Sequence, residues 1–417
     1  MFSITGEAKR IKTTLIIIQI GFIIVSLLFV LKVGNSTLLG SLEKFENDDV
    51  KYIRSAWTLV ENGMLTYENV KEPTVFIMPG LSFSLAFFVI LFGKLNALIA
   101  FRVFQILLQC GSLYLIFLIG RKVFGSKVAL LACFINAIYT VELYTSSLIL
   151  MECIFKFLFL LLVYLSIHAI ESKNVKTYIY AAVVWALACY FKPTIAAYPA
   201  IVLFMWIRDK NYKFMDMLKY AGIVLSVFIL IMSPWWIRNY MEFKAFIPLT
   251  EAGGNPFLQG TFINYDQTQG WGVPYQRSEN SIENNKIQME VGMARLKKFA
   301  VKDPLRYLSW YTVEKTAYFW KAPFFWYDSP LRPIAFVEHI LILLTAIGGI
   351  ILSFRHKKKN RSKAYILITL LFITLTYLPF FTFGRYAYPL MPLVMLFSAF
   401  AIHTGFNQMR SKRLSHL

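Results

Sequence analysis

The feature that most constrains this chain is a series of long apolar runs separated by short basic segments. The first run, Thr13 to Val33, has 21 residues and is long enough to cross a bilayer as one helix. Nine more follow: 97–119, 128–144, 153–170, 177–191, 194–207, 218–237, 333–353, 364–383 and 387–405. Charged residues make up only 16% of the 417 residues, against about 25% in soluble domains. The chain is therefore predicted to be an all-α polytopic membrane protein with about ten transmembrane helices (roughly 9 to 12).

The distribution of basic residues predicts the orientation of these spans. The net charge is +20, and most of it lies before the first run, after the last run, and in the connections 120–127, 171–176, 208–217 and 354–363. Placing these segments inside, together with Lys219, gives +17 there and +3 elsewhere, as the positive-inside rule requires. We therefore expect a multi-pass cell-membrane protein with cytoplasmic N- and C-termini. The basic charge is explained by topology, so no nucleic-acid partner is expected.

Two long segments are then expected on the outer face. They are a first outer loop at 34–96 and a large outer loop at 238–330. The first includes the apolar stretch 79–92, whose 14 residues are few for a span. We interpret it as a re-entrant or interfacial helix. The alternative is that it spans and a neighbouring short segment does not. The chain is otherwise expected to form a single membrane domain, 1–417.

A polar juxtamembrane helix is predicted just after the first span, starting at Asn47 or Asp48 and ending at Gly63. Residues three, four and seven apart share a helix face, which here groups Asp48, Lys51, Tyr52 and Ser55. A carboxylate in this position can act as a general base toward a hydroxyl, and Lys51 and Arg54 can hold a phosphate. The alternative is a solvated, capped helix with local ion pairs.

Other ionisable residues lie where spans are expected to reach the outer face. Glu152 opens one span, and such groups are costly at membrane depth unless functional or paired. The alternatives are a helix N-terminal carboxylate or a partner for Lys156. Lys192, Arg238 and Arg385 lie at the outer ends of other spans. Three cations at one level indicate an anionic ligand such as a lipid phosphate.

The order of these segments resembles that of the GT-C superfamily of membrane glycosyltransferases, specifically bacterial members of glycosyltransferase family 39, which includes protein O-mannosyltransferases. The resemblance covers most of the chain. Its carriers are NDDVKYIRSA, IMPGLSF, FRVFQ, LIGRKVFG, LILMECIF, ALACYFKPT, SPWWIRNYMEFKAFIPLTEAGGNPFLQG and FGRYAYPLMPL. PWxxRN followed by FxPL and a Gly-rich segment is fairly specific, and the ordered series is more so.

The resemblance implies a sugar donor carried on a polyprenyl phosphate and used at the outer face. It places the catalytic acid in the pair Asp48 and Asp49, with Glu152 as a further acid. It matches Lys51 to a position near the lipid phosphate and Arg238 and Arg385 to basic positions near the cavity. Together with Tyr52, Arg54, Lys192 and Tyr386, these residues form the predicted substrate- or phosphate-binding set. The acceptor implied is a glycan, lipid or protein hydroxyl.

One departure from the family pattern limits the inference. The aminoarabinose transferases of lipid A carry Glu-Lys-Pro-Pro ahead of the re-entrant helix, whereas this chain has Phe76-Ile77-Met78-Pro79-Gly80. The metal and phosphate contacts made there do not carry over, which argues against aminoarabinose transfer. The need for a divalent metal is left open, and no other cofactor is indicated.

The mechanism expected is an inverting single displacement, with Asp48 preferred as the base. The competing class is a secondary transporter or flippase for a lipid-linked glycan, which would also have broken helices and buried charges. The absence of an internal repeat, and the grouping of candidate residues at one face, favour the transferase. A third class, a scaffold without activity, would not need aligned acids and cations.

Overall fold

The chain folds into a bundle of helices, and within the described residues no β-strand occurs. The computed structural model describes all residues except 210, 279, 326–328, 356–359 and 416–417, and no side chain at 269 or 410–415. Its α-helices are α1 Lys9–Val33, α2 Asp48–Asn62, α3 Gly80–Phe92, α4 Asn96–Phe124, α5 Ser126–Ile138, α6 Thr140–Ser147, α7 Glu152–Ser172, α8 Val175–Cys189, α9 Pro199–Arg208, α10 Phe214–Phe243, α11 Gly254–Gly260, α12 Ser281–Lys302, α13 Pro304–Ser309, α14 Lys315–Trp320, α15 Leu331–Arg355, α16 Arg361–Tyr377, α17 Gly384–Ala387 and α18 Met391–Ser415. A short 3₁₀ turn precedes α9 at Pro193–Ala197.

All ten predicted apolar runs lie on helices. In the described residues, six helical segments are long and apolar enough to cross a membrane, namely Lys9–Thr37, α4, α7, α10, α15 and Gly384–Met409. The bent pair α5 and α6, which meet at 55°, would make seven. The runs 177–191 and 194–207 form shorter apolar helices. The run 364–383 lies on α16, which has 17 residues, only as far as Tyr377, and its last six residues form a connecting segment without a helix. The fold class, a polytopic helical membrane protein, is confirmed.

The bundle exposes apolar surface on the helices at its periphery. In the most apolar 18-residue windows, only 6% of α10 and 22% of the first span are buried, against 78% of α7. Apolar side chains can face lipid without cost, so such exposure is expected of outer helices in a bilayer. The helices α4, α7 and α18 lie at the centre and together carry 24 of the 69 described buried residues of the main core.

The stretch 79–92 forms α3, which is 13 residues long. At 1.5 Å per residue this length falls short of a hydrocarbon core about 30 Å thick. Its start is tied to the turn between α8 and α9, because the Gly80 N–H donates to the Tyr190 carbonyl over 2.8 Å. A Cβ at Gly80 would lie 2.5 Å from that oxygen, so only glycine fits. The re-entrant position of α3 stays a prediction.

The predicted large loop 238–330 contains the four helices α11 to α14, which we call the α11–α14 cluster (Gly254–Trp320). Its centre holds an unusual buried arginine, Arg295, whose guanidinium lies 3.6 Å from the Phe262 ring centroid and donates to Thr261 Oγ1 over 2.9 Å. The cluster packs against the segment that connects α16 to α17. It therefore contacts the part of the chain that leads directly to Arg385.

Candidate active site

The structure separates the two acids of the predicted pair. Asp48 is the first residue of α2, and Asn47 is its N-cap. The Asp48 side chain is 45% exposed, and its Oδ2 accepts a hydrogen bond from Arg385 over 2.8 Å. Its Oδ1 accepts one from the Tyr67 hydroxyl over 2.8 Å. Burial acts to raise the pKa of Asp48, but the charge and hydrogen bond of Arg385, with help from Tyr67 and Lys51, outweigh it and hold the pKa below 3.8.

Asp49 is completely buried and turned to the other side of α2. Its Oδ2 accepts the Leu39 N–H over 2.6 Å and its Oδ1 accepts the Val50 N–H over 2.8 Å. Burial raises its pKa above 3.8, although these backbone donors act in the opposite direction. The Asp49 carboxylate therefore fixes the loop before α2 to the helix, and Asp48 is the acid accessible to a substrate.

Arg385 joins Asp48 to the second predicted acid, Glu152. Its Nε lies 2.5 Å from Glu152 Oε1, while the same guanidinium reaches Asp48. Glu152 opens α7 and is 1% exposed. Arg385 follows Gly384, where a Cβ would approach the Ala322 carbonyl oxygen to 2.1 Å. The tight fit at Gly384 sets the path of the backbone just before the arginine.

Lys192 completes this group, which we call the acid–base cluster (Asp48, Glu152, Lys192 and Arg385). Its Nζ lies 3.9 Å from Glu152 Oε1 and 5.2 Å from the ring centroids of both Phe155 and Tyr386. Burial lowers its pKa from 10.5 to about 8, although Glu152 acts to raise it. Among the described residues, neither this amine nor Glu152 Oε2 has a hydrogen-bond partner. Buried polar atoms are almost always paired, so these two mark a place for a ligand.

The other predicted site residues surround the cluster or lie apart from it. Lys51 forms an ion pair with Glu68 over 2.8 Å, and Arg54 donates to the carbonyls of Tyr67 and Glu68. Both side chains therefore bind the loop that carries Tyr67. Tyr52 is buried against the Tyr67 ring, with centroids 5.2 Å apart.

Tyr386 and Arg238 differ in their relation to the cluster. Tyr386 stacks on Tyr377 at 4.7 Å and presents its ring to Lys192. Arg238 donates to the Thr74 carbonyl over 2.7 Å and lies between aromatic rings of α10. No described contact joins Arg238 to the acid–base cluster.

The alternative role considered for Glu152, as partner of Lys156, is wrong. Lys156 pairs with Glu142, and both side chains are fully buried. Glu142 also accepts from Asn136 Nδ2 over 2.9 Å and from the Tyr388 hydroxyl over 2.9 Å. The spacing i, i+4 on α7 allowed Glu152 and Lys156 to pair, but the Glu142 carboxylate, which lies on α6, pairs with Lys156 instead.

Arg102 is a buried cation that the sequence analysis did not single out. It is fully buried on α4, where its Nε donates to the Ser147 carbonyl over 2.6 Å and its guanidinium reaches Asn35 Oδ1 over 2.8 Å. Its signal in the sequence was an arginine inside the apolar run 97–119. It ties α4 to the end of α6 and to the turn after α1.

The cluster does not resemble a preformed metal site. Among the described residues, no three His, Cys, Asp or Glu side chains lie close enough to hold a metal ion together. One oxygen of each carboxylate, Asp48 Oδ2 and Glu152 Oε1, accepts a hydrogen bond from the Arg385 guanidinium. A divalent cation shared by the two carboxylates would lie against that positively charged group, and the residues present therefore do not fit a resident metal.

Solved structures share this arrangement of helices. The chain is similar to the oligosaccharyltransferase AglB of Archaeoglobus fulgidus in complex with an inhibitory peptide and a dolichol-phosphate, with a TM-score of 0.57 and 14% identity. The alignment covers 95% of this chain and 51% of that chain. The apo form of the same enzyme gives a TM-score of 0.57 and 15% identity, over 95% of this chain and 52% of that one. The chain has the GT-C fold.

Further comparisons add a family match within this GT-C chain. Residues 71–237 match the family of dolichyl-phosphate-mannose-protein mannosyltransferases, a stretch that includes Glu152 and Lys192. ArnT of Cupriavidus metallidurans bound to undecaprenyl phosphate aligns with a TM-score of 0.49 and 10% identity, over 92% of this chain and 60% of that chain. No curated protein sequence matches significantly. The chain spans about half the length of the AglB structures it matches.

Proposed function

We propose that this GT-C chain is a membrane glycosyltransferase that moves a sugar from a polyprenyl-phosphate donor to a hydroxyl of a glycan, lipid or protein. The observation that carries the proposal is the acid–base cluster: an accessible carboxylate, Asp48, held by an arginine that also contacts the buried Glu152 beside Lys192. The fold shared with AglB and the family match over 71–237 support this class of reaction. Asp48, Glu152 and Arg385 come from three distant parts of the chain, so their convergence is built by the fold.

The proposed step is a single displacement with inversion. The acceptor oxygen attacks the anomeric carbon, its proton passes to Asp48, and the bond from that carbon to the phosphate oxygen breaks. The lowered pKa of Asp48 keeps it ionised and ready to accept the proton. The negative charge remaining on the polyprenyl phosphate is stabilised by Lys192 and Arg385, whose burial strengthens the interaction.

The proposal includes the side of the membrane on which transfer occurs. The positive-inside distribution supports cytoplasmic termini, with 34–96 and 238–330 on the outer face. Single cysteines at Asn62 and Asn280, both exposed, should react with an impermeant thiol reagent in intact cells, whereas one at Lys358 should not. Reaction at Lys358 without reaction at Asn280 would reverse the orientation.

Asp48→Asn tests the catalytic assignment. The N-cap of α2 is Asn47, which is unchanged, and an asparagine side chain can still accept a hydrogen bond from Arg385, so the variant should accumulate normally. It should lose at least about 10²-fold in transfer, the usual contribution of a general base. Transfer is measured in proteoliposomes as loss of label from a panel of polyprenyl-phosphate hexoses and pentoses.

Asp49→Asn is the matched control, because the neighbouring acid is buried against backbone donors. We expect it to reduce stability, with transfer per folded molecule retained. Near wild-type transfer by Asp48→Asn and loss by Asp49→Asn would move the base to Asp49. Wild-type transfer by both variants and by their combination would overturn the mechanism, and movement of a lipid-linked glycan would then be the function to measure.

A further inference from the structure

The segment 378–383, which connects α16 to α17, is held in place by the α11–α14 cluster. Lys315 Nζ donates to the carbonyls of Leu378 over 2.8 Å and Phe380 over 3.2 Å. The Phe381 N–H donates to the Pro256 carbonyl over 2.7 Å. These contacts hold the backbone of Leu378, Phe380 and Phe381, in a segment that has no helix of its own. The segment ends two residues before Arg385, so its position determines where that side chain begins.

Tyr265 makes the last of these attachments. Its hydroxyl accepts a hydrogen bond from the Thr382 N–H over 2.9 Å and donates to the Thr382 carbonyl over 3.1 Å. One phenol thus satisfies both backbone groups of a residue three positions before Arg385. The Tyr265 ring packs on Phe381, with centroids 4.4 Å apart.

The backbone at Tyr265 is strained. Asn264 and Tyr265 both have left-handed backbones, with φ of 57° and 59°. This conformation is unfavourable for a side chain as large as tyrosine and persists only where the surroundings enforce it. The rings of Trp310 and Tyr318, 4.9 and 5.2 Å away, hold the Tyr265 ring in this position. Strain of this kind indicates a side chain that must point in one particular direction.

Lys315 is a second costly feature at the same place. It is fully buried, and among the described residues no carboxylate forms an ion pair with it. Its amine lies 3.9 Å from the Tyr311 ring centroid. Burial lowers its pKa from 10.5 to about 7. A buried lysine without a counter-charge destabilises a fold, and in the part of the chain that the structure describes its hydrogen bonds go to the 378–383 segment.

We propose that the α11–α14 cluster acts as a clamp on 378–383 that positions Arg385 between Asp48 and Glu152, with Tyr265 and Lys315 as its positioning residues. This inference rests on the proposed function of the acid–base cluster. Neither residue touches a substrate; each acts through the backbone that leads to Arg385. Because a catalytic group displaced by about 1 Å can lose 10²-fold in rate, a small loosening of this segment is expected to reduce transfer.

The first test measures the clamp without activity. Tyr265→Phe removes one hydroxyl and keeps the ring. In hydrogen–deuterium exchange of the detergent-solubilised chain, amides of 378–387 should exchange at least about 10-fold faster than in the wild type, since two hydrogen bonds are lost. Tyr307→Phe is the matched control: it removes a phenol that donates to the Thr261 carbonyl over 3.3 Å in the same cluster but does not contact 378–383. Unchanged exchange at 378–387 in Tyr265→Phe would overturn the clamp, whatever the wild-type activity.

The second test asks whether the clamp acts on chemistry. Tyr265→Phe should lower kcat/KM for transfer by about 10-fold, and Tyr307→Phe should not. Asp48 is faced by Arg385, Tyr67 and Lys51, and Arg385 makes the largest contribution that lowers its pKa. A loosened Arg385 lets burial raise that pKa, so the acid limb of the kcat/KM profile should move to higher pH. A merely structural loss would reduce the rate equally at every pH and would refute positioning.

Lys315→Met provides an independent variant, and Lys315→Arg is its conservative partner. Lys315→Met should increase exchange at 378–387 and shift the acid limb in the same direction as Tyr265→Phe. If Lys315→Met fails to accumulate, the exchange and the pH profile of Tyr265→Phe decide whether the clamp exists. The two proposals can fail separately. If the wild-type chain shows no transfer but hydrogen–deuterium exchange at 378–387 is still faster in Tyr265→Phe, the proposed function is refuted and the clamp is not.

Discussion

Two groups of buried charges lie close to one another along α7, and they differ in how completely they are paired. In the Glu142–Lys156 pair, both Glu142 oxygens and the Lys156 amine have partners, and both side chains are 0% exposed. In the acid–base cluster, Asp48 is 45% exposed, while Lys192 Nζ and Glu152 Oε2 have no hydrogen-bond partner in the described part of the chain. The two groups are separated by a single helical turn, from Glu152 to Lys156.

The difference indicates which buried charges serve the fold and which are available for chemistry. A pair whose charged atoms all have partners has no free charge for a ligand, and this pair joins α5, α6 and α7 to the turn before α18 through Asn136 and Tyr388. In an incompletely paired cluster, the burial of a charge such as that of Lys192 is unfavourable, and a bound anion can offset that free energy. A charge at membrane depth therefore does not by itself identify a functional site. Unpaired buried polar atoms beside an accessible carboxylate are the feature that indicates one here.

The largest effect is expected from breaking the satisfied pair. Glu142→Gln leaves the Lys156 ammonium buried without a counter-charge, which costs about 3–5 kcal/mol. The variant should fail to accumulate or should unfold at a much lower temperature in detergent. Replacing both residues, as Glu142→Gln with Lys156→Met, should restore part of that stability. A stable Glu142→Gln variant that has lost transfer would place this pair in the active site and remove the contrast.

The next effect concerns activity with little change in stability. Glu152→Gln keeps an oxygen for Arg385 but removes the charge beside Lys192, and transfer should fall by about 10- to 10²-fold. Glu68→Gln is the matched control, because Glu68 is largely exposed and pairs only with Lys51, a contact worth about 0–1 kcal/mol. Equal activity of the two variants would show that Glu152 only packs against Arg385.

The pH dependence of donor binding sharpens the role of Lys192. Its pKa of about 8 means that the ammonium is lost as the pH rises through that value. The KM for the polyprenyl-phosphate sugar should therefore increase above about pH 8, as a neutral amine holds phosphate less strongly. Lys192→Arg stays charged and should move this limb to higher pH. A KM that is constant up to about pH 10 in the wild type would contradict phosphate binding by Lys192.

The same pKa predicts a smaller effect on stability, and its sign can be stated. The folded pKa is lowered, so between about pH 8 and the unfolded value near 10.5 the unfolded chain binds more protons. The free energy of unfolding should then rise with pH across this window. Thermal unfolding of the wild type and Lys192→Met measures it, and the variant should lose that rise.

The smallest effect on transfer is expected at Arg238. Its guanidinium is occupied by the Thr74 carbonyl and by the rings of Trp235 and Phe243. Arg238→Ala should cost about 1–2 kcal/mol in stability and change transfer less than Lys192→Ala does. A loss of donor binding equal to that of Lys192→Ala would show that Arg238 also holds the phosphate, as the sequence pattern predicted.

Local rules determined much of the architecture. The apolar runs predicted where the long apolar helices lie, because a bilayer requires such helices with satisfied backbones. In the described residues six of them, or seven with the bent pair α5 and α6, are long and apolar enough to cross a membrane, against the ten expected. The helix after Asn47 was predicted to its last residue: α2 ends at Asn62, and Gly63 takes the left-handed conformation with φ of 69°. Caps and periodicity act over one or two turns, so they can be read without knowing the rest of the fold.

The contacts of the site depended on the tertiary structure. Arg385 lies 337 positions from Asp48 and 233 from Glu152 along the chain, and no local pattern specifies that it bridges them. Lys156 pairs with Glu142 rather than with Glu152, because the packing of α6 on α7 places the Glu142 carboxylate nearer to the lysine amine. The strained Tyr265 and the buried Lys315 carried no signal in the sequence, since their roles arise from the 378–383 segment that they hold. The amino-acid sequence thus determined which residues lie at the ends of the helices, whereas packing between distant helices decided which of those residues meet.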